Sequence, residues 1–297
     1  MTLQDRIEDG MNETRTLLLG AQVFAGFAFS SCFASRFDSL PTRALHAQAL
    51  AITVLTAALA WLMFPGAYHQ VAQRGHSRLI VCKHTTTVLD YSLLPLAIGL
   101  GLCVHPAAVA LALPHPTLFA ISTVVVATIS FYGIGLISRG PSNPKPKVDS
   151  TPSEKLEERI KNVLMECRMV LPGAQAFLGF LFANVFTESF SKLPRSSQLI
   201  HAAGMALVML STILLLTPAA YHRLATRGNP SEKVHTVGSL CLLAALTVLA
   251  PGMACELFVV LRKLTRHTTL SAITALVFIA LSYALWFAYS ALSRKRR

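Results

Sequence analysis

Glu13, Arg15, Tyr68, His69 and Arg74 recur 153 positions later as Glu166, Arg168, Tyr221, His222 and Arg227. A carboxylate, an imidazole and guanidiniums repeated in this order could take up protons and pass them on, because histidine titrates near neutrality. The alternative is an interfacial belt of ion pairs, with the tyrosines anchored among lipid headgroups. Gln22 and Gln175 recur as well, each about 10 Å along a helix from its arginine. An amide inside an apolar helix either ties two helices together or lines a polar conduit. Asp90 lies well inside a long apolar run, which makes it a candidate site by default. Its counterpart in the repeat is Leu243, so a role for Asp90 would belong to one half alone.

The elements that must position these groups are apolar helices. Hydrophobic residues make up 53% of the 297-residue chain and charged residues 13%, about half the charged share of an ordinary soluble domain. Runs near 16–35, 46–64, 86–104, 117–138, 169–187, 199–217, 236–258 and 269–291 are each long enough to cross the roughly 30 Å hydrocarbon layer as a helix. Backbone groups in lipid must be satisfied within the segment, and the ten-residue alternation of a membrane barrel is missing. The expected fold is therefore all-α: a polytopic membrane helix bundle of eight transmembrane helices. The polar, acidic stretch Met1–Thr14 lacks the pattern of a cleaved signal, so targeting is expected to fall to the first span.

Charge is distributed unevenly between alternate loops. The side receiving both ends of the chain, the 65–85 and 219–235 loops and the 139–168 linker carries 19 lysines and arginines; the other side carries 7. The positive-inside rule places that basic side in the cytoplasm, consistent with an even number of spans. Because the formal charge of +12 sits in short clusters between apolar runs, it points to loops beside a membrane and excludes a nucleic-acid partner. The six cysteines show no CxxC pair, and no zinc spacing or disulfide framework emerges. Loop residues His105, His115 and His267 lack metal spacing and are expected to be solvated, and Glu256 is expected to be exposed at the end of its span.

From residue 13 to residue 75 the two halves align without a gap. Glu13-Thr-Arg15-Thr-Leu-Leu-Leu-Gly20-Ala-Gln22-Val-Phe24-Ala-Gly26-Phe27 meets Glu166-Cys-Arg168-Met-Val-Leu-Pro-Gly173-Ala-Gln175-Ala-Phe177-Leu-Gly179-Phe180. Pro65-Gly-Ala-Tyr68-His69 meets Pro218-Ala-Ala-Tyr221-His222, and the prolines should kink or end their spans. Beyond residue 76 the match fades to scattered positions such as Gly99 and Gly252. The chain reads as a duplication: a four-helix membrane repeat over 1–138, a Pro/Lys-rich cytoplasmic linker with a short amphipathic helix over 139–165, and a second repeat with a basic tail over 166–297. Four spans per unit make the repeats parallel, related by a pseudo-two-fold along the membrane normal.

The repeated Glu-x-Arg…Gly-Ala-Gln-x-Phe followed by Pro-x-Ala-Tyr-His resembles a bacterial family of four-helix membrane proteins of uncharacterised function. Its members often carry the label sodium:proton antiporter. That resemblance implies a bacterial inner-membrane protein and a small inorganic ion as a partner. It covers spans 1–2 and 5–6 and departs at Leu19 against Pro172 and at Gln70 against Arg223. No HExxH, GxSxG or phosphate-loop pattern occurs, so neither an enzyme nor a cofactor is expected. The expected function is a small-ion transporter or channel, proton- or sodium-coupled; the alternative is a non-transporting scaffold or regulator whose basic loops meet anionic lipid. A conduit needs continuous polar lining, whereas a scaffold needs only isolated pairs.

Overall fold

The computed structural model describes residues 3–73, 79–133, 152–227 and 229–295. Arg74 and the proline-rich stretch 139–150 lie outside them. Eight long helices follow one another: α1 (Leu3–Ser31), α2 (Thr42–Gln73), α3 (Leu79–Ala110), α4 (Pro116–Thr128, continued by a π-helical turn Ile129–Gly133), α5 (Pro152–Val185), α6 (Arg195–Leu224), α7 (Glu232–Thr265) and α8 (Thr268–Tyr283, running through a π-helical turn Ala284–Tyr289 into Ser290–Lys295). Among the described residues no strand occurs. Pro65 and Pro218 sit inside α2 and α6, which run on past them, so neither proline ends its helix. The helix expected to begin near Thr151 is continuous with α5, and the 165/166 boundary falls within it.

Seven of these helices are long and apolar enough to cross a membrane, and α1 is not among them. Thr14, Arg15, Thr16 and Gln22 dilute its apolar run. Even so, α1 holds a central place. It lies along α5, with Gln22 against Gly173, Phe29 against Phe177 at 5.3 Å between ring centroids, and Ser30 Oγ donating to Asn184 Oδ1 at 2.8 Å. Because residue numbers rise together along this contact, α1 and α5 run parallel.

Within each unit the same packing recurs: the first helix on the second and third, the second on the third, the third on the fourth. Gly99 on α3 lies against Leu55 on α2, and their counterparts Gly252 and Val208 meet in the same way on α7 and α6. Between units the packing departs from the expected two-fold. Helix α2 beds down among α5, α7 and α8, while reciprocal contacts of α6 with α3 and α4 are marginal at most. Divergence of the two units accounts for this: Trp286, fully buried and donating from Nε1 to the Ala60 carbonyl at 2.8 Å, has Gly133 as its counterpart.

The glycines of the α1–α5 seam make an opposite-signed test. A Cβ on Gly173 would fall 1.3 Å from Gln22 Oε1 and one on Gly26 would fall 2.1 Å from the Phe180 ring, whereas Gly20 and Gly179, their repeat partners, meet nothing within 4 Å. Gly173→Ala and Gly26→Ala should each destabilise by about 1–3 kcal/mol through overpacking. Gly20→Ala and Gly179→Ala should be neutral or slightly stabilising, since alanine is the better helix former. Unfolding midpoints in detergent read the difference.

Candidate functional site: two buried carboxylate–imidazole pairs

Glu166, midway along α5, is 1% exposed, yet it is an acid and needs hydrogen-bond partners. The last turns of α2 supply them: His69 Nδ1 lies 2.5 Å from Oε1, and Gln70 Nε2 donates to Oε2 at 2.5 Å. Ser239 on α7 then donates to Gln70 Oε1 at 2.8 Å, so three helices share one network. Gly66, one turn before Gln70, presents no side chain, and the Glu166 stem lies 3.8 Å from where a Cβ would be. The neighbouring Tyr68 points elsewhere, as adjacent residues on a helix do. Its buried ring packs against His84, 4.5 Å between centroids, and against Tyr289, 6.3 Å away.

The repeat sets out Glu13, Arg15, Tyr68, His69 and Arg74 and their counterparts as two equivalent groups, one in each unit. Instead, His69 of the first unit takes Glu166 of the second. Glu13, Arg15, Arg168 and Arg227 are exposed, and Tyr221 and His222 are half-buried. Arg227 closes the turn after α6 in a left-handed conformation, φ 51°. The asymmetric docking of α2 explains why the set assembles once: of the two equivalent helices α2 and α6, it is α2 that beds into the other unit. Gln22 faces the interior, 3% exposed, and among the described residues its Oε1 finds no hydrogen-bond partner. Gln175 is exposed. Asp90 faces outward from α3, and its backbone carbonyl accepts from Tyr132 Oη at 2.6 Å.

A second pair lies toward the other end of the bundle. His201 near the start of α6 and Glu256 in α7 are each about 1% exposed, with Nδ1 2.7 Å from Oε2. His201 Nε2 meets the Leu181 carbonyl of α5 at 3.2 Å, and the Phe190 ring packs on the imidazole at 4.7 Å. Glu256 is therefore not exposed at a span boundary as its sequence position suggested. The repeat register held the missing signal: where the second unit has His201, Gly204 and Glu256, the first has Gln48, Ala51 and Cys103. Beyond this pair, Lys263 reaches Asp38 across the unit boundary, and Ser189 Oγ donates to the same carboxylate at 2.8 Å.

Partial burial pushes the Asp38 carboxyl up, but the hydrogen bonds from Lys263 and Ser189 outweigh it and hold it below the ordinary carboxylate range. A folded value below the unfolded one means the clamp's contribution is complete above about pH 4 and is lost as pH falls through the folded value. Asp38 is half-exposed, so the contribution is small. Acid unfolding curves of the wild type and Asp38→Asn should converge below about pH 4 and separate above it.

Among the described residues, no three His, Cys, Asp or Glu side chains converge as a metal site. Fold and site together describe an all-helical protein built from a tandem duplication, with several helices long and apolar enough to suit a multi-pass membrane protein. Residues 3–134 and 149–290 each match the model of the family of unknown function DUF6328, and the chain belongs to that family. The double match extends the repeat over all four helices of each unit, well past the stretch where identities are plain. No curated protein and no solved structure matches the chain.

Proposed function

We propose that the protein is an eight-span inner-membrane scaffold or regulator, with both termini and the linker at the cytoplasmic face, that carries no continuous ion path. One observation supports this above others: the two buried pairs are isolated. On α7, Ser239 belongs to the Glu166 network and Glu256 to the second pair, about 26 Å apart along the axis. The buried face between them is Leu242, Ala245, Leu246, Leu249, Ala250 and Met253. Hydroxyls at intermediate depth are satisfied by backbone: Thr56 donates to Ile52, Thr212 to Val208 and Ser211 to Ala245. The basic cytoplasmic face would meet anionic headgroups, each lysine or arginine near the surface contributing about 1 kcal/mol.

A proton- or sodium-coupled transporter is the second reading. In its favour stand the two titratable pairs, one toward each end of the bundle, where alternating access would use them. Proteoliposomes loaded with a pH-sensitive dye separate the two. Under an imposed pH or sodium gradient, flux should equal that of protein-free vesicles. A protein-dependent flux abolished by Glu166→Gln or Glu256→Gln would establish transport instead.

A further inference from the structure

The proton count at His201 and Glu256 is fixed by their partners. The Leu181 carbonyl can only accept, so His201 Nε2 carries a hydrogen and donates to it at 3.2 Å. The 2.7 Å contact between Nδ1 and Glu256 Oε2 then needs one more proton, placed on either side. Both placements leave the pair neutral overall. The remaining oxygen decides between them. Glu256 Oε1 is fully buried and has no hydrogen-bond partner among the described residues. As half of a carboxylate it would be an uncompensated buried anion; as the carbonyl oxygen of an acid it is far cheaper to leave bare.

We propose that His201 and Glu256 form a one-proton site in which Glu256 is a carboxylic acid at neutral pH, donating from Oε2 to a neutral His201. Three positions that differ between the two units make up the site. His201 and Glu256 supply the chemistry, and Gly204 makes the room: a Cβ there would fall 2.6 Å from Oε1. The first unit has glutamine, cysteine and alanine at these places, a neutral amide with no proton to exchange. Other charges at this end are engaged elsewhere or point away. Arg262 donates to the Ser196 and Ser197 hydroxyls, Lys263 holds Asp38, Arg195 reaches Gln198, and Lys192 pairs with Glu188. Arg43, His46, Arg266 and His267 are exposed, and the neighbouring Cys255 contributes a thiol.

The proton is held by contact between α6 and α7. Parting these helices would hydrate the pair, and above the ordinary histidine range Glu256 would then release its proton to water, leaving a carboxylate and a neutral imidazole. Closure takes that proton back. Closing is therefore favoured as pH falls toward about 6.5, and above it weakens by up to tenfold per pH unit.

Infrared spectroscopy of the full chain in nanodiscs tests the assignment. At pH 7 the wild type should show a protonated-carboxyl C=O band that shifts in D2O. Glu256→Gln should abolish it, and Glu166→Gln, at a position where both carboxyl oxygens have a partner, should leave it. If Glu256→Gln does not fold, the triple variant His201→Gln, Gly204→Ala, Glu256→Cys restores the first unit's own residues and should likewise lack the band. A wild-type spectrum without the band, or a band that survives loss of Glu256, overturns the assignment. Neither result depends on whether the vesicle experiment detects flux.

Discussion

Glu166→Ala should lower stability by about 3–5 kcal/mol, whereas the same change at its repeat counterpart, Glu13, should stay within about 0.5 kcal/mol. At position 166 the substitution removes the buried partner of His69 Nδ1 and of Gln70 Nε2, which both spend hydrogen-bonding capacity on that carboxyl group. The site is closed to bulk solvent, with Glu166 1% exposed and His69 fully enclosed. Glu13 is exposed, so its removal leaves no buried group without a partner. Glu166→Gln keeps the shape and one acceptor oxygen and should recover part of the loss. Thermal or SDS-titrated unfolding in detergent reads all three variants. Equal losses at positions 13 and 166 would mean that both units hold their carboxylates alike, contrary to the asymmetric docking of α2.

Trp286→Ala should have an effect of similar size, about 3–5 kcal/mol. The indole is the largest fully buried side chain, and its Nε1 donation to the Ala60 carbonyl ties α8 to α2 across the unit boundary. Trp286→Phe retains most of the volume but gives up that hydrogen bond, so about 1–3 kcal/mol is expected. Because α2 carries His69, loosening α8 should also disturb the Glu166 network: the Trp286→Ala, Glu166→Ala double variant should lose less than the two single losses combined. Strict additivity would indicate that the two inter-unit contacts act independently.

Much of this was legible in the residues. The ungapped register of 153 positions announced the duplication, and the family match over 3–134 and 149–290 bears it out. Apolar runs located the long helices, since length against hydrocarbon thickness is a physical constraint that any spanning segment must meet. Gln22 was singled out as an amide in an apolar helix that must meet another helix or a conduit, and it is indeed buried. What could not be read was which unit would supply a partner. A repeat shows that Glu13 and Glu166 are equivalent in origin; it does not reveal that α2 crosses into the other unit, because that depends on divergent residues such as Trp286 and Gly133. Glu256 was misjudged for a related reason. Hydropathy sees an acid near the end of a run, while its burial depends on Gly204, more than fifty residues earlier. Asp90 shows the reverse: read as lying well inside an apolar run, it is exposed on the outer side of α3.

The central claim is that α1 spans the membrane with the other seven helices, which makes the units parallel and the span count even. Its contact with α5 supports this, although Arg15 and Gln22 leave it too polar to qualify by composition. The side of the membrane reached by the N-terminus tests the claim most directly. Sidedness reporters placed before Met1, within the 139–150 stretch and after Arg297 should all read cytoplasmic. A reporter before Met1 that reads from the opposite face to the one in the linker would leave an odd number of spans between them and contradict the parallel four-helix units.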